Sequence, residues 1–250
     1  MLTACAESDP YKRLELRPTV EVTTYELVKA YNNRWPEQFK CVQTVTIDFG
    51  PVTKTFNALL IVQRSGKFRI QGMTEQGIKI FELAHNEEGD HVLFKADEMN
   101  EGTITGISKD IQRVFLEPLP GVAESRRDAE HYYLEANTPS QVVRVIIVGE
   151  MDDGALAATP RRNEGDQAAG LWVDRVESDS TEGRLYCLGN YDWKLKWHKT
   201  GAVTVGWFVP SVIVLRDSGR DSKSYPYKLT IKINELTVRD TPWPEKTFKP

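Results

Sequence analysis

Two hundred and fifty residues fit one large domain or two modest ones. Hydrophobic residues make up 40% and charged residues 27%, with 17 Gly and 13 Pro, which is ordinary globular usage and excludes collagen, coiled coil and wholesale disorder. A net charge of −4 lacks the basic footprint of a nucleic-acid binder, and no run of about 20 apolar residues is present to span a bilayer as a helix.

The chain opens Met1-Leu2-Thr3-Ala4-Cys5-Ala6. Leu2 to Cys5 resembles the lipobox of bacterial lipoproteins: a branched apolar residue, two small ones, then the cysteine that receives diacylglycerol. The charged and apolar regions of a signal peptide do not precede it, so the expectation is a targeting segment upstream of Met1. Residues 1–18 then read as a lipid-attachment cysteine, Cys5, with a polar, flexible tether. The alternative is a chance tetrapeptide at a frayed cytosolic N-terminus. Buried CH₂ groups at roughly 0.8 kcal/mol each would make such an anchor, durable when several acyl chains are attached. Ala6 in place of Asp, by resemblance to enterobacterial sorting rules, favours the outer membrane.

Thr23-x-x-Glu26 is a capping box, and Leu27, Val28, Tyr31 and Trp35 follow at helical spacing until Pro36 stops the run. From Lys40 the period changes to two: Cys41, Val45, Ile47 and Phe49 alternate with Thr44, Thr46 and Asp48. Gly50-Pro51 turns the chain, and Thr53 to Gln63, Lys67 to Gln71, Gly77 to Leu83 and His91 to Lys95 continue a β meander. A second helix is expected over Ser108 to Leu116, ending before Pro118. Strand-like runs resume at His131 to Glu135 and Gln141 to Val148. Residues 151–170 read as an aperiodic excursion. Runs at Leu171 to Val176, Arg184 to Leu188, Asp192 to His198, Val203 to Phe208, Ser211 to Arg216 and Tyr227 to Val238 complete the chain. No repeat emerges, and residues 19–250 read as one domain.

The sequence offers little chemistry. His85-Asn86-Glu87-Glu88-Gly89-Asp90-His91 holds metal-ligating residue types, but Asn, Gly and Asp are also what a hairpin reversal needs, and the turn is the preferred reading. Trp193, Lys194, Leu195, Lys196 and Trp197 alternate, which puts the rings on one face and the lysines on the other, as for core or cavity wall. Arg126-Arg127 and Arg161-Arg162 read as solvated loop charges. Nucleophile elbows, Cys-x-x-Cys pairs, His-Glu-x-x-His and phosphate loops are absent, so no enzymatic activity, metal or cofactor is expected. With Cys5 acylated, Cys41 and Cys187 remain, either paired in an oxidising compartment or, the preferred reading, as two buried thiols.

About a dozen strands at ~4.8 Å spacing would make a sheet some 50–60 Å wide, and two helices about 10 Å across cover well under half of it. Most strands nevertheless carry one apolar face, such as Ile231, Ile233 and Leu236. A sandwich, a closed barrel or a strongly curled sheet around a greasy cavity would each shelter that surface.

The order of elements is similar to that of the lipoprotein-localisation (Lol) family, a periplasmic lipoprotein carrier and its outer-membrane receptor. Four stretches carry the likeness: Lys67 to Leu83 resembles its short-turned hairpin, Asp97 to Gly121 its helical plug, Trp193 to Trp197 its late strand, and Val209 to Leu215 with Tyr227 to Val238 its closing hairpin. The resemblance implies a mainly β (α+β) fold, a single strongly curved antiparallel sheet forming an unclosed half-barrel with short helices lidding the concave face. It implies a cavity for acyl chains, no catalysis and no metal. In the receptor the hairpin turn presents a projecting leucine; here Thr74, Glu75 and Gln76 are polar, with Met73 the nearest apolar residue, and residues 151–170 lengthen the chain. The expected function is therefore a non-enzymatic lipoprotein on the periplasmic face of the bacterial outer membrane, anchored through lipidated Cys5. It binds a lipid or fatty-acyl ligand and takes part in lipid or lipoprotein transfer, with a periplasmic lipoprotein carrier as a further candidate partner and no nucleic acid. Leu60, Val62, Ile70, Ile80, Trp193, Trp197 and Trp207 are the candidate lining residues. The alternative is a structural or assembly lipoprotein that docks a partner protein and has no ligand cavity.

Overall fold

The computed structural model describes residues 17–18, 23–97, 99–127, 131–138, 141–148, 151–152, 155–156, 172–179, 184–200, 203–217 and 226–250. In chain order these form β1 (Arg17–Pro18), α1 (Thr24–Asn32), β2 (Gln38–Phe49), β3 (Val52–Gln63), β4 (Lys67–Met73), β5 (Lys79–Asn86), β6 (Gly89–Lys95) and α2 (Glu101–Ile111). A π-helical turn, Gln112–Leu116, extends α2. There follow β7 (Val122–Arg127), β8 (His131–Asn137), β9 (Gln141–Val148), β10 (Met151–Asp152), β11 (Ala155–Leu156), β12 (Trp172–Asp179), β13 (Arg184–Thr200), β14 (Val203–Asp217) and β15 (Tyr227–Val238), then a 3₁₀ turn at Glu245–Phe248. The fold is mainly β. Thirteen strands follow the order β1-β7-β8-β9-β12-β13-β14-β15-β2-β3-β4-β5-β6, while β10 and β11 pair with each other. The described ladders are antiparallel, and the order ends at β1 and β6 without closing. Residues 1–16 of the expected tether, with Cys5, lie outside the described residues; Arg17 and Pro18 pair with β7.

The chain contacts gather into two compact units, the first made of Met1–Tyr31, Leu119–Gly189 and Leu215–Tyr227. Its α1 starts at the expected capping box: Glu26 N donates to Thr23 Oγ1 at 3.2 Å, and Thr23 N donates to Glu26 Oε2 at 2.8 Å. Bonds to the Glu26 carboxylate from Thr23 N and from Thr23 Oγ1, the latter at 2.8 Å, hold it below its ordinary range. The helix ends at Asn32, before the expected stop at Pro36, so Trp35 leaves the helical stripe. Leu27 and Tyr31 pack on Leu134, Ala136, Val143 and Val145, which alternate along β8 and β9 and so share a face. Thr24 Oγ1 also meets Ser125 Oγ of β7 at 2.7 Å.

The second unit comprises Asn32–Pro118, Asn190–Val214 and Lys228–Pro250. Here β2 to β6 form the expected meander, and β15 pairs with β2 on its other side. Register assigns the faces. Phe39, Cys41 and Val45 of β2 stand opposite Val62, Leu60 and Phe56 of β3, and Val62 and Leu60 stand opposite Phe68 and Ile70 of β4. This apolar face continues to Leu83 and Phe81 on β5. Gly72 lies opposite Phe81, and a Cβ there would come within 2.1 Å of the Phe81 ring, so the glycine makes room for it. The other face carries Gln63, Lys67, Arg69 and Asn86, and the C-terminal segment crosses it. Arg69 Nη1 donates to Thr247 O at 3.1 Å, Asn86 Nδ2 to Phe248 O at 3.0 Å, and Phe248 is buried.

Candidate functional site

The apolar face of β2 to β5 is the candidate site, and α2 with its π turn covers it. Asn100 caps the helix, its side chain accepting from Thr103 N at 2.7 Å, so α2 begins a full two turns before the expected Ser108. Gly102, Thr103, Thr105 and Gly106 hid this first half, since Gly and Thr are weak helix formers. Buried Ile104, Ile111, Val114 and Phe115 form the apolar side of the cover, which packs on β5 and β6. Trp35, Phe39 and Phe115 make an aromatic cluster, with centroids 5.0 Å apart for Trp35–Phe115 and 5.9 Å for Phe39–Phe115. Trp35 Nε1 donates to Val114 O at 3.1 Å, satisfying the indole while its ring stays buried.

Three of the candidate lining residues converge here. Leu60 stands opposite Ile70, and Val62 is two residues along the same face of β3. Their exposures are 0, 2 and 0%, so nothing the size of water touches Leu60 or Val62 while α2 is seated. Ile80 falls beside the register shift between Gly72 and Met73 and is half-buried. The side chains of Trp193, Trp197 and Trp207 lie outside the described residues.

A polar contact ties the cover to the β5–β6 hairpin. Ser108 Oγ donates to Asp90 Oδ1 at 2.6 Å, and His85 Nδ1 lies 2.6 Å from the same oxygen. Gln112 Nε2 donates to Ser108 Oγ at 3.2 Å, and the His85 ring stacks on Phe68 with centroids 5.1 Å apart. These are the residue types of a hydrolytic triad in a different order, with the carboxylate between serine and imidazole instead of the imidazole between serine and carboxylate. The rest of the histidine-rich stretch turns the hairpin, with Asn86 Oδ1 accepting from Glu88 N at 2.8 Å and lying 3.1 Å from His91 Nε2. Among the described residues no three His, Cys, Asp or Glu side chains gather as a metal site. No disulfide joins Cys41 and Cys187, of which Cys41 is buried and Cys187 only half-buried, and burial pushes the Cys41 thiol up to about 12.

The β4–β5 turn differs from its expected polar character. Thr74 N donates to Ile78 O at 2.8 Å and Gly77 N to Thr74 O at 3.0 Å, a closed loop that leaves Ile78 66% exposed. Ile78 was legible as an apolar residue; its position at the end of the turn, ahead of the strand, was hidden by the run of apolar residues that follows it.

No known family's sequence profile matches this chain, and no curated protein does. Among solved structures it is similar to a LolA superfamily protein from Nitrosomonas europaea, with a TM-score of 0.49 and 10% identity over 93% of this chain and 99% of that one. It is also similar to a Vibrio parahaemolyticus domain named for outer-membrane lipoprotein sorting, with a TM-score of 0.36 and 7% identity over 90% and 94%. A DUF1329 family protein from Desulfovibrio piger follows, with a TM-score of 0.30 and 11% identity over 90% and 95%.

Proposed function

We propose that this chain is a non-enzymatic lipoprotein of the bacterial outer membrane that binds an acyl chain between α2 and the apolar face of β2 to β5 and takes part in lipid or lipoprotein transfer. The supporting observation is the cover itself. An apolar face four strands wide lies under one eleven-residue helix and its π turn, tied down by side-chain bonds at Ser108–Asp90 and Trp35–Val114. An acyl chain needs no polar partner, so it can replace the Ile, Val and Phe contacts of the cover at roughly 25 cal/mol per Å² of buried apolar surface. Leu60, Val62 and Ile70 become lining when α2 lifts, with Ile80, Trp193, Trp197 and Trp207 completing the wall. In this reading residues 19–250 work as one half-barrel domain, lipidated Cys5 holds it to the periplasmic face, and a periplasmic lipoprotein carrier delivers the cargo.

Native mass spectrometry of detergent-free protein tests the reading. Retained fatty acid or lipid, with a shift in tryptophan emission on adding fatty acid, is expected; a bare mass with an indifferent spectrum overturns it. The second reading, a lipoprotein that docks a partner chain, draws on β6. That strand ends the sheet order and exposes Val92 and Phe94, as an edge open to strand pairing does.

A further inference from the structure

In the unit containing β2 to β6 the two ends of the strands differ in chemistry. At the end where β2 begins and β5 turns into β6, the surface is ionic. Glu37, Glu87, Glu88 and Glu245, with side chains 68, 71, 80 and 65% exposed, lie beside Arg64, Lys67 and His91. The other end holds the β2–β3 and β4–β5 turns and exposes apolar side chains beside Thr53, Glu75 and Gln76. Phe49, Val52 and Ile78 are 39, 48 and 66% exposed, and Phe49 and Val52 are direct cross-strand partners.

The β2–β3 hairpin also stands clear of β4. Pairing between β3 and β4 begins at Asn57, so from Val52 to Phe56 β3 pairs with β2 but not with β4, about 17 Å at ~3.3 Å per residue. Exposed Lys54 and Lys228 flank this tip, opposite Ile47 and Asp48 of β2. Neither lysine meets a carboxylate in an ion pair among the described residues, while Asp48 accepts from Thr53 Oγ1 at 2.7 Å.

We propose that this hairpin tip is a contact surface for an anionic phospholipid bilayer. Phe49 and Val52 enter the boundary between headgroups and acyl chains, and Lys54 and Lys228 meet lipid phosphates. Single apolar side chains on a surface are ordinary, but a Phe–Val pair on a turn, flanked by lysines that form no ion pair among the described residues, combines the two attractions that hold proteins at a membrane interface. Lysine stems lie along apolar surface while their charges reach the headgroup layer. Glu37, Glu87, Glu88 and Glu245 sit at the far end of the same strands, where an anionic surface does not repel them, while Glu75 in the β4–β5 turn stays at the near end. Phe49 and Val52 continue the face of Phe39, Cys41 and Val45 at the end of β2 remote from Phe39 and Phe115, and their contact does not depend on an acyl chain binding under α2.

The test uses the full chain carrying C5S, so that no acyl anchor contributes, sedimented with vesicles of phosphatidylethanolamine plus phosphatidylglycerol and, separately, of phosphatidylcholine alone. The native tip is expected to favour the anionic vesicles. F49S/V52S should lower the bound fraction on the order of tenfold, and K54E/K228E should erase the preference for phosphatidylglycerol. Equal binding of F49S/V52S and the parent overturns the proposal. So does the absence of binding by the parent, or a loss that coincides with dissociation of a self-associated species in analytical ultracentrifugation. All four side chains are exposed, so unchanged melting temperatures are expected. Should F49S/V52S melt lower, F49W with brominated lipid decides: added quenching supports the contact, and none overturns it. Fatty-acid retention measured on F49S/V52S reports the α2 face independently, so either reading can fail alone.

Discussion

Two positions in the β4–β5 pair show what single residues hold. Gly72 is a space, filled by the Phe81 ring, which also meets Phe56 edge-on at 5.6 Å. Gly72→Ala drives a methyl into that ring inside a packed core, so it is expected to cost about 1–3 kcal/mol, read as a lower denaturant midpoint with an unchanged slope. Glu82 is a charge held on the opposite face. Burial alone would raise its carboxyl above the ordinary 4.5, but bonds from Lys79 and from Arg69, whose Nε lies 2.9 Å from Oε1, outweigh it and hold the group lower. A carboxyl depressed on folding stabilises the native state above its unfolded value and loses that contribution as pH falls through its folded value. Stability should therefore decline as acid is added below about pH 4.5. Glu82→Gln should cost about 1–3 kcal/mol at neutral pH and flatten that acid limb, which paired melts from pH 3 to pH 7 would show.

At the scale of elements, α2 is held by three separable devices: the Asn100 cap, the Ser108–Asp90 bond and the aromatic packing of its π turn. Asn100→Ala removes the cap and should cost about 1 kcal/mol. Ser108→Ala leaves the helix propensity nearly intact but frees the helix from the hairpin. Amide exchange over residues 101–111 should then rise well above that of β3, and fatty-acid uptake should quicken; unchanged exchange in α2 would show that packing alone seats it. What the sequence made legible follows from how local each signal was. The meander from β2 to β6 was readable because apolar residues alternate between turns marked by Gly50, Gly66 and Gly89, each at positive φ. By contrast β7, Val-Ala-Glu-Ser-Arg-Arg, has no alternation of its own and forms because β8 offers a partner. Gly189-Asn190 and Pro210 read as breaks, yet β13 and β14 run straight through them: a proline forfeits one ladder donor, but its fixed φ near −65° is compatible with extended chain. Within the candidate site, parity puts Leu60 and Val62 on one face of β3, and strand pairing sets Ile70 opposite Leu60. The turn from His85 to His91 was legible, but the meeting of His85 and Asp90 with Ser108 was not, because it depends on a helix packing across a hairpin, which no spacing encodes.

The whole molecule depends on contacts between residues remote in sequence, and its last ten residues show this most directly. After β15 the chain crosses the polar face of β3 to β5, where Lys67 Nζ lies 3.1 Å from Glu245 Oε1 and Trp243 N donates to Gln63 Oε1 at 3.3 Å. Bonds that Lys67 donates to Glu87 and Glu245 raise its ammonium above the ordinary value, so this tie is present through neutral pH and lost only as pH climbs into the alkaline range. Phe248, 1% exposed, is the apolar part of the strap, and its carbonyl satisfies the buried Asn86 side chain. Phe248→Ala should cost about 3–5 kcal/mol, as for other buried aromatics. Removing residues 241–250 takes away that ring together with the acceptors used by Lys67, Arg69 and Asn86, and leaves three donors on a face no longer covered. The truncation should therefore destabilise more than Phe248→Ala, whereas Glu245→Gln, which alters only a solvent-exposed carboxylate, should shift the midpoint by less than about 1 kcal/mol. Denaturant melts of the three variants check this order. A truncated chain that melts with the parent would mean that the polar face of β3 to β5 is stable in water and that the strap merely lies on it.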